Sequence, residues 1–208
     1  MPESKSPNPT PPIRTRSIGH YLDTLGSSAP TPGGGSATGI IGALGASLGL
    51  MVVSLTSADD TEATAHLDVA REKLIALRER FTQLAEQDEA VYQGYRDAAG
   101  MPKSSAEEKA ARRASMQRAL KEAARVPLAA CEASVELGDA LVPVRRYGNP
   151  YLLSDARIAV LCTEACFEAS RINVNVNLAM IKDEAWVTNV SDRVKTLAEN
   201  MRSSIQSE

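Results

Sequence analysis

Apolar residues follow different patterns in different parts of the chain, and each pattern predicts its own kind of helix. Across residues 65–99, Leu67, Ala70, Leu74, Leu77, Phe81, Leu84, Val91 and Tyr95 succeed one another in steps of three and four, the spacing that gathers side chains on one helical face. The position between Leu84 and Val91 that would complete the series is Asp88. A carboxylate on a core-facing seam is paired, or marks the end of the buried part, or lies in a cleft.

Residues 37–55 read differently. They are Ala, Gly, Ile, Leu, Val and Met with a few hydroxyls, inside a stretch from Thr24 to Ala58 that has no charge at all. Such a helix is either the buried centre of a helical protein or a membrane span. Asp59 and Asp60 close the stretch, Arg16 is the nearest base on its N-terminal side, and no aromatic belt marks either end, so burial in protein is expected. Gly39, Gly42, Gly45 and Gly49 fall within about a third of the helix circumference, a groove where another backbone can approach closely.

The remaining signals are boundaries. A short helix over 17–25 ends at Gly26, and Gly100, Met101 and Pro102 end the long periodic helix. Ser105 with Glu108 forms a capping box for the next, which is expected to reach about residue 141 with a bend at Pro127. Residues 143–150, with Arg145, Arg146, Gly148 and Asn149, read as a loop, Ser154 as the cap of a helix to about Ile181, and 183–204 as one or two shorter helices. No stretch alternates as a strand would. The prediction is an all-α protein, a multihelical bundle around a buried, Gly/Ala-rich central helix. Residues 1–16, with five of the eleven prolines, read as a disordered Pro-rich tail without a targeting address, and 17–208 as one helical domain.

Composition narrows the function classes. Lys and Arg total 23 against 26 Asp and Glu, so there is no general field for nucleic acid and any anion site must be local. Three cysteines without a signal peptide do not make a disulfide framework, and a reducing, cytoplasmic setting is expected. Cys162 and Cys166 are one helical turn apart, but His20 and His66 lie far off in sequence; the cysteines read as buried small residues, and no metal is expected.

Four groups of residues remain as candidate chemistry. Pro32, Gly33, Gly34, Gly35 and Ser36 lead straight into the apolar helix, where free backbone N–H groups can face a ligand at the positive helix end. The segment has neither the Lys of a P-loop nor a preceding strand, and alone it reads first as a flexible lead-in to a packed helix. Asn149 precedes Ser154 and Asp155, the latter an acid at a helix start with an ordinary use against the macrodipole. Asn173 and Asn177 lie one turn apart on a largely apolar stripe and need partners, either another helix or a heterocycle's edge. Lys103, Arg112, Arg113, Arg145, Arg146 and Lys182 are surface cations; a cleft near Lys103 and the two arginines would receive a carboxylate-bearing tail.

Taken together, these motifs resemble the formiminotetrahydrofolate cyclodeaminase and methenyltetrahydrofolate cyclohydrolase family over residues 18–204. Pro-Thr-Pro-Gly-Gly-Gly-Ser at 30–36 with its Ala/Gly helix is similar to the family's most distinctive signature. Asp88, fourteen residues before Pro102-Lys103, resembles an Asp-x-x-Ala-Phe and Leu-Pro-Lys pair, with Val91-Tyr92 in place of Ala-Phe and Met101 in place of Leu. Val126-Pro127-Leu128, Gly148-Asn149, Ser154-Asp155, Asn173-Val174 and Asn177-Leu178 follow in the family's order.

The resemblance implies the helical bundle already predicted, a homodimer, and a folate substrate, with or without a polyglutamate tail, in place of any separate cofactor. It implies hydrolysis of 5,10-methenyltetrahydrofolate to 10-formyltetrahydrofolate, or, in the alternative, cyclodeamination of formiminotetrahydrofolate with release of ammonia. The chain carries no formiminotransferase domain, which favours the hydrolytic reading. Asp88 and Asp155 are then the candidates for proton transfer, Asn149, Asn173 and Asn177 for orienting the pterin or water, Pro32 to Ser36 with Ser154 for shaping the site, and Lys103 for the glutamate tail. The reading from another class is a non-enzymatic helical scaffold or membrane-associated module packed through the Gly face of 39–49. In it Asp88 is salt-bridged and the asparagines join helices.

Overall fold

An uncharged helix of six turns needs cover, and the rest of the chain supplies it on one face. The computed structural model describes residues 11–57 and 60–206. Among them are six α-helices and no strand: α1 (Ile18–Leu25), α2 (Gly34–Ser54), α3 (Thr61–Gly100), α4 (Ala106–Tyr147), α5 (Leu153–Leu178) and α6 (Glu184–Gln206). The uncharged segment forms α2, which lies against α3 on one side and α5 on another, while α4 packs on both of those and carries α6 on its far side.

The seam of α3 enters the main core as its spacing requires. Leu74, Leu77 and Phe81 meet Val52 and Val53 of α2, Leu137, Leu141 and Val144 of α4, and Ala159 and Cys166 of α5. The α2 glycines make this approach possible. A methyl on Gly39 would lie 2.7 Å from the Phe81 carbonyl oxygen, one on Gly42 would enter the Phe81 ring, and Gly45 faces Ala159 and Cys162 of α5. A second core, with Leu120, Cys131, Phe167, Val174, Val194 and Leu197, joins α4, α5 and α6.

Several boundaries differ from those expected, each for a tertiary reason. Residues 1–10 of the expected tail, and Asp59, lie outside the described residues, but 11–16 are ordered. Ile13 is buried in a short 3-10 turn, and Arg16 is paired with Glu89. Both Pro127 and Pro143 lie inside α4, which continues to Tyr147, so Arg145 and Arg146 are on its last turn and not in a loop. An interior proline removes a helix hydrogen bond and costs about 3 kcal/mol or more. At Pro127 the carbonyl it leaves free, that of Ala123, accepts from Asn177 Nδ2 of α5 at 3.4 Å. Ser154 is not a cap: it lies within α5, and Asn149 instead accepts from the Tyr151 N–H to start the 3-10 turn Pro150–Leu152. The final segment is a single helix. Finally, α2 is buried on one face only, since Leu44 and Met51 remain exposed on the other.

Candidate active site

The N-terminus of α2 has no cap of its own, because Gly33 at the N-cap position has no side chain to accept from the first turn. The acceptor comes from α3. Asp88 Oδ2 accepts the Ser36 N–H at 3.0 Å, so the carboxylate sits at the positive end of the uncharged helix. Gly35 is required here because a methyl at that position would collide with Asp88 Oδ1. The break in the α3 stripe thus has a location. Leu84 and Ala85 before it are buried in the cores, whereas Val91 and Tyr95 after it line a cavity.

That cavity measures about 350 Å³ and is walled by Thr31, Gly33 and Gly34, by Asp88, Val91, Tyr92 and Tyr95, by Leu120 and Ala123, and by Val176, Asn177 and Met180. A narrower gap behind Asp88 is bounded by Gly35, Thr38, Gly39, Pro127, the wholly buried Ser170, and Asn173. Asn177 has two tasks: its amide nitrogen donates to the carbonyls of Ala123 and Asn173 while the side chain faces the cavity. The interhelical role read for the asparagines therefore holds for Asn177, beside its place in the wall.

Burial pushes the Asp88 carboxyl above the ordinary carboxylate range; the Ser36 N–H opposes this and the neighbouring Glu89 charge adds to it. Desolvation favours the neutral form of an acid, and a nearby like charge acts in the same direction. Ser36 is itself held. Its hydroxyl donates to Glu89 Oε1 at 3.3 Å and accepts from the Tyr21 hydroxyl at 3.0 Å, and burial raises the Tyr21 phenol.

The structure brings together Gly33, Gly34, Gly35, Ser36, Asp88, Asn173 and Asn177, with Pro32 buried beside them. It does not bring in Asn149, Ser154 or Asp155. The Asn149 amide nitrogen donates to the Leu55 carbonyl and its backbone N–H donates to the Thr56 hydroxyl oxygen, at the far end of α2. Twenty-one residues of helix, about 31 Å at 1.5 Å each, separate that end from Asp88. Within one chain the expected pair of aspartates is therefore split, and Asp155 stands in the first turn of α5, where its charge complements the helix dipole. Lys103 is exposed beyond the end of α3 and is not part of the cavity wall. Arg145 is engaged with the carbonyls of Ser204 and Ile205.

Residues at the site that were not among the candidates are Tyr92 in the wall, quoted above only within the motif after Asp88, Ser170 in the inner gap, and Arg16, Tyr21 and Glu89 behind Ser36. Tyr92 falls off the apolar series, and Arg16 sits in proline-rich surroundings. The one available signal for Glu89 was adjacency to Asp88.

The family model for formiminotransferase-cyclodeaminase matches residues 17–196. The chain belongs to this family. A methenyltetrahydrofolate cyclohydrolase of Methylorubrum extorquens is 41% identical over 179 residues, covering 85% of each chain. The formimidoyltransferase-cyclodeaminase of Sus scrofa is 30% identical over 195 residues, 92% of this chain but 35% of that protein, so the chain spans about a third of that longer relative. The fold matches the crystal structure of a formiminotetrahydrofolate cyclodeaminase from Thermotoga maritima with a TM-score of 0.84 at 26% identity, over 93% of this chain and 94% of the other.

Proposed function

We propose that this protein is a methenyltetrahydrofolate cyclohydrolase, and that Asp88 moves the proton. The observation that carries the reading is a buried carboxyl, aimed at by a helix N-terminus, at the back of a cavity with aromatic and apolar walls. The extended identity with a cyclohydrolase over 85% of both chains supports it. The walls of Tyr92, Tyr95, Val91 and Met180 suit a flat heterocycle, and the side chains of Asn173 and Asn177 supply polar edges.

The chemistry follows from the substrate's charge. The amidinium carbon between N5 and N10 is cationic and already electrophilic. A water in the inner part of the site adds its oxygen to that carbon and gives a proton to the Asp88 carboxylate, leaving a neutral tetrahedral adduct. The C–N5 bond then breaks as the hydroxyl becomes a carbonyl and loses its proton to solvent, and protonated Asp88 returns its proton to N5. The product is 10-formyltetrahydrofolate, with one proton released overall and no cofactor drawn on. Burial favours the neutral acid and a cationic carbon beside it favours the carboxylate, opposing pulls on a group that takes up and returns one proton.

Deamination of the formimino compound is the second reading, favoured by the fold match to the Thermotoga maritima cyclodeaminase. The deciding assay follows the loss of methenyltetrahydrofolate absorbance beside ammonia release from formiminotetrahydrofolate. Hydrolysis above the buffer rate is expected; ammonia release without hydrolytic acceleration reverses the assignment and keeps the site.

The protein is further read as a cytoplasmic homodimer. The supporting features are three free thiols, Cys131, Cys162 and Cys166, and an apolar face on α2 and α5 that nothing in the described chain covers.

A further inference from the structure

We propose that Arg16 and Glu89 form a positioning pair that holds the α2 N-terminus on Asp88 and screens Asp88 from a second negative charge, so that the segment ahead of α1 belongs to the reaction machinery. This rests on the reading of Asp88 as the proton-transfer group. The Arg16 guanidinium meets both Glu89 carboxylate oxygens at 2.9 Å, and the two side chains are only 5% and 11% exposed. Few arrangements are less suited to mere packing, because desolvating two charges consumes much of what their attraction returns. A fork-to-carboxylate geometry does fix orientation. The fork is itself fixed, with Arg16 Nε donating to the Pro11 carbonyl. Ile13 anchors the strand of chain before it, by a buried side chain and by its N–H on Glu86 Oε1 at 2.8 Å.

From this anchor the connection to Asp88 is short. Glu89 Oε1 accepts from the Ser36 hydroxyl, and the N–H of the same Ser36 donates to Asp88. Tyr21 closes the arrangement by donating to Ser36, which fixes the direction in which the Ser36 hydroxyl points. Among the described residues, each element packed here brings its own groups toward Asp88 and Glu89. Arg16 comes from the leading segment and Tyr21 from α1; α2 supplies the uncharged Ser36, and α3 supplies Glu86, Tyr92 and Tyr95. The α4 residues at the site, Leu120, Ala123, Val126 and Pro127, carry no charge, and α5 gives Ser170, Asn173 and Asn177. Among the described residues Arg16 is thus the cation that offsets Glu89, next in sequence to Asp88.

The test uses Arg16→Met, Arg16→Lys, Glu89→Gln and the double variant Arg16→Met/Glu89→Gln in the full chain. Two readouts are needed: kcat and KM against pH with methenyltetrahydrofolate, and the titration of the Asp88 carboxyl by carbon NMR without substrate. In Arg16→Met the uncompensated Glu89 charge moves the Asp88 titration and the acid limb of kcat to higher pH, and kcat falls about 10–100-fold through loss of aim, with KM little changed. Glu89→Gln moves both to lower pH, the double variant returns them toward wild type, and Arg16→Lys retains most of kcat. Folded variants in which neither the limb nor the titration moves overturn the proposal and leave the pair structural. Should Arg16→Met fail to fold, Glu89→Gln decides alone. Wild-type protein that accelerates neither folate reaction refutes the functional reading instead, and the NMR titration still tells whether Arg16 and Glu89 control Asp88.

Discussion

The carboxylate of Asp88 occupies the place of a helix N-cap side chain, yet it is delivered from 52 residues further along the chain. A cap alone does not need a charge, because Asn caps as well as Asp, and this separates the structural from the chemical use of the residue. Asp88→Asn keeps an acceptor for the Ser36 N–H while removing the proton-transfer group. The expected result is a loss of turnover of about 10²–10⁴-fold together with an unchanged or higher melting temperature at neutral pH. The sign of the stability change follows from burial, which raises the Asp88 carboxyl above its unfolded value. A group raised in this way contributes stability below the unfolded value and loses it as pH rises through the folded one. The advantage of the variant therefore shrinks as pH falls and vanishes below about pH 4, where wild-type Asp88 is protonated in both states. Thermal melts of the two proteins across that range check it; a variant that melts lower at neutral pH while keeping full activity makes Asp88 a cap and nothing more. Gly35→Ala is the complementary change. Its methyl displaces Asp88, and a fall in kcat of about 10²-fold is expected without loss of helix content by circular dichroism.

Two elements, α4 and α5, are joined where a proline would otherwise leave a carbonyl bare. Asn177→Ala removes the donor to Ala123 and is expected to cost about 1–3 kcal/mol in urea unfolding. In a Pro127→Ala background residue 127 regains an N–H for the same carbonyl, so the cost of Asn177→Ala shrinks; a double-mutant cycle with no coupling would show that the contact bears no energy. The same pair shows what a sequence can and cannot express. Helical periodicity reports packing directly, which is why the α3 stripe, the glycine groove of α2 and the capping box at Ser105 and Glu108 were legible, as was the departure of Asp88 from its series. Tertiary rescue is not periodic. Pro127 reads as a bend because its partner on α5 is 50 residues away, and the segment at 11–16 reads as a tail because its order comes from Ile13 and Arg16 meeting α3. The site was legible in part for a similar reason. Gly33 to Ser36, Asp88, Asn173 and Asn177 converge, but motif order does not encode distance, and the length of α2 sets Asn149, Ser154 and Asp155 apart.

For the whole molecule, the question is what covers the outer face of α2. This helix is long and apolar enough to cross a membrane, but its glycine face is committed to α3 and α5, and the surface left over continues onto a neighbour. Ile158, Leu161, Ala165, Ile172 and Val176 are exposed along one side of α5, Leu161 by 60% and Ile172 by 62%, with the exposed Glu168 among them. On α2, which packs against α5, Leu44 is 54% exposed and Met51 is exposed as well. Exposed apolar side chains on two packed helices suit an association site, and a two-fold interface places the same residues on both partners, burying about 800 Å² from each in a standard case. A second copy suits this face because α2 offers no charge to a charged partner. Wild-type protein is then expected at twice 22.2 kDa in sedimentation equilibrium, purified without detergent. Leu44→Glu and Leu161→Glu, each placing two like charges across the two-fold, are expected to shift it to monomer while the Asp88 titration, set within one chain, stays in place. A wild-type monomer at micromolar concentration removes the dimer from the account, and recovery only from membranes assigns the face to lipid.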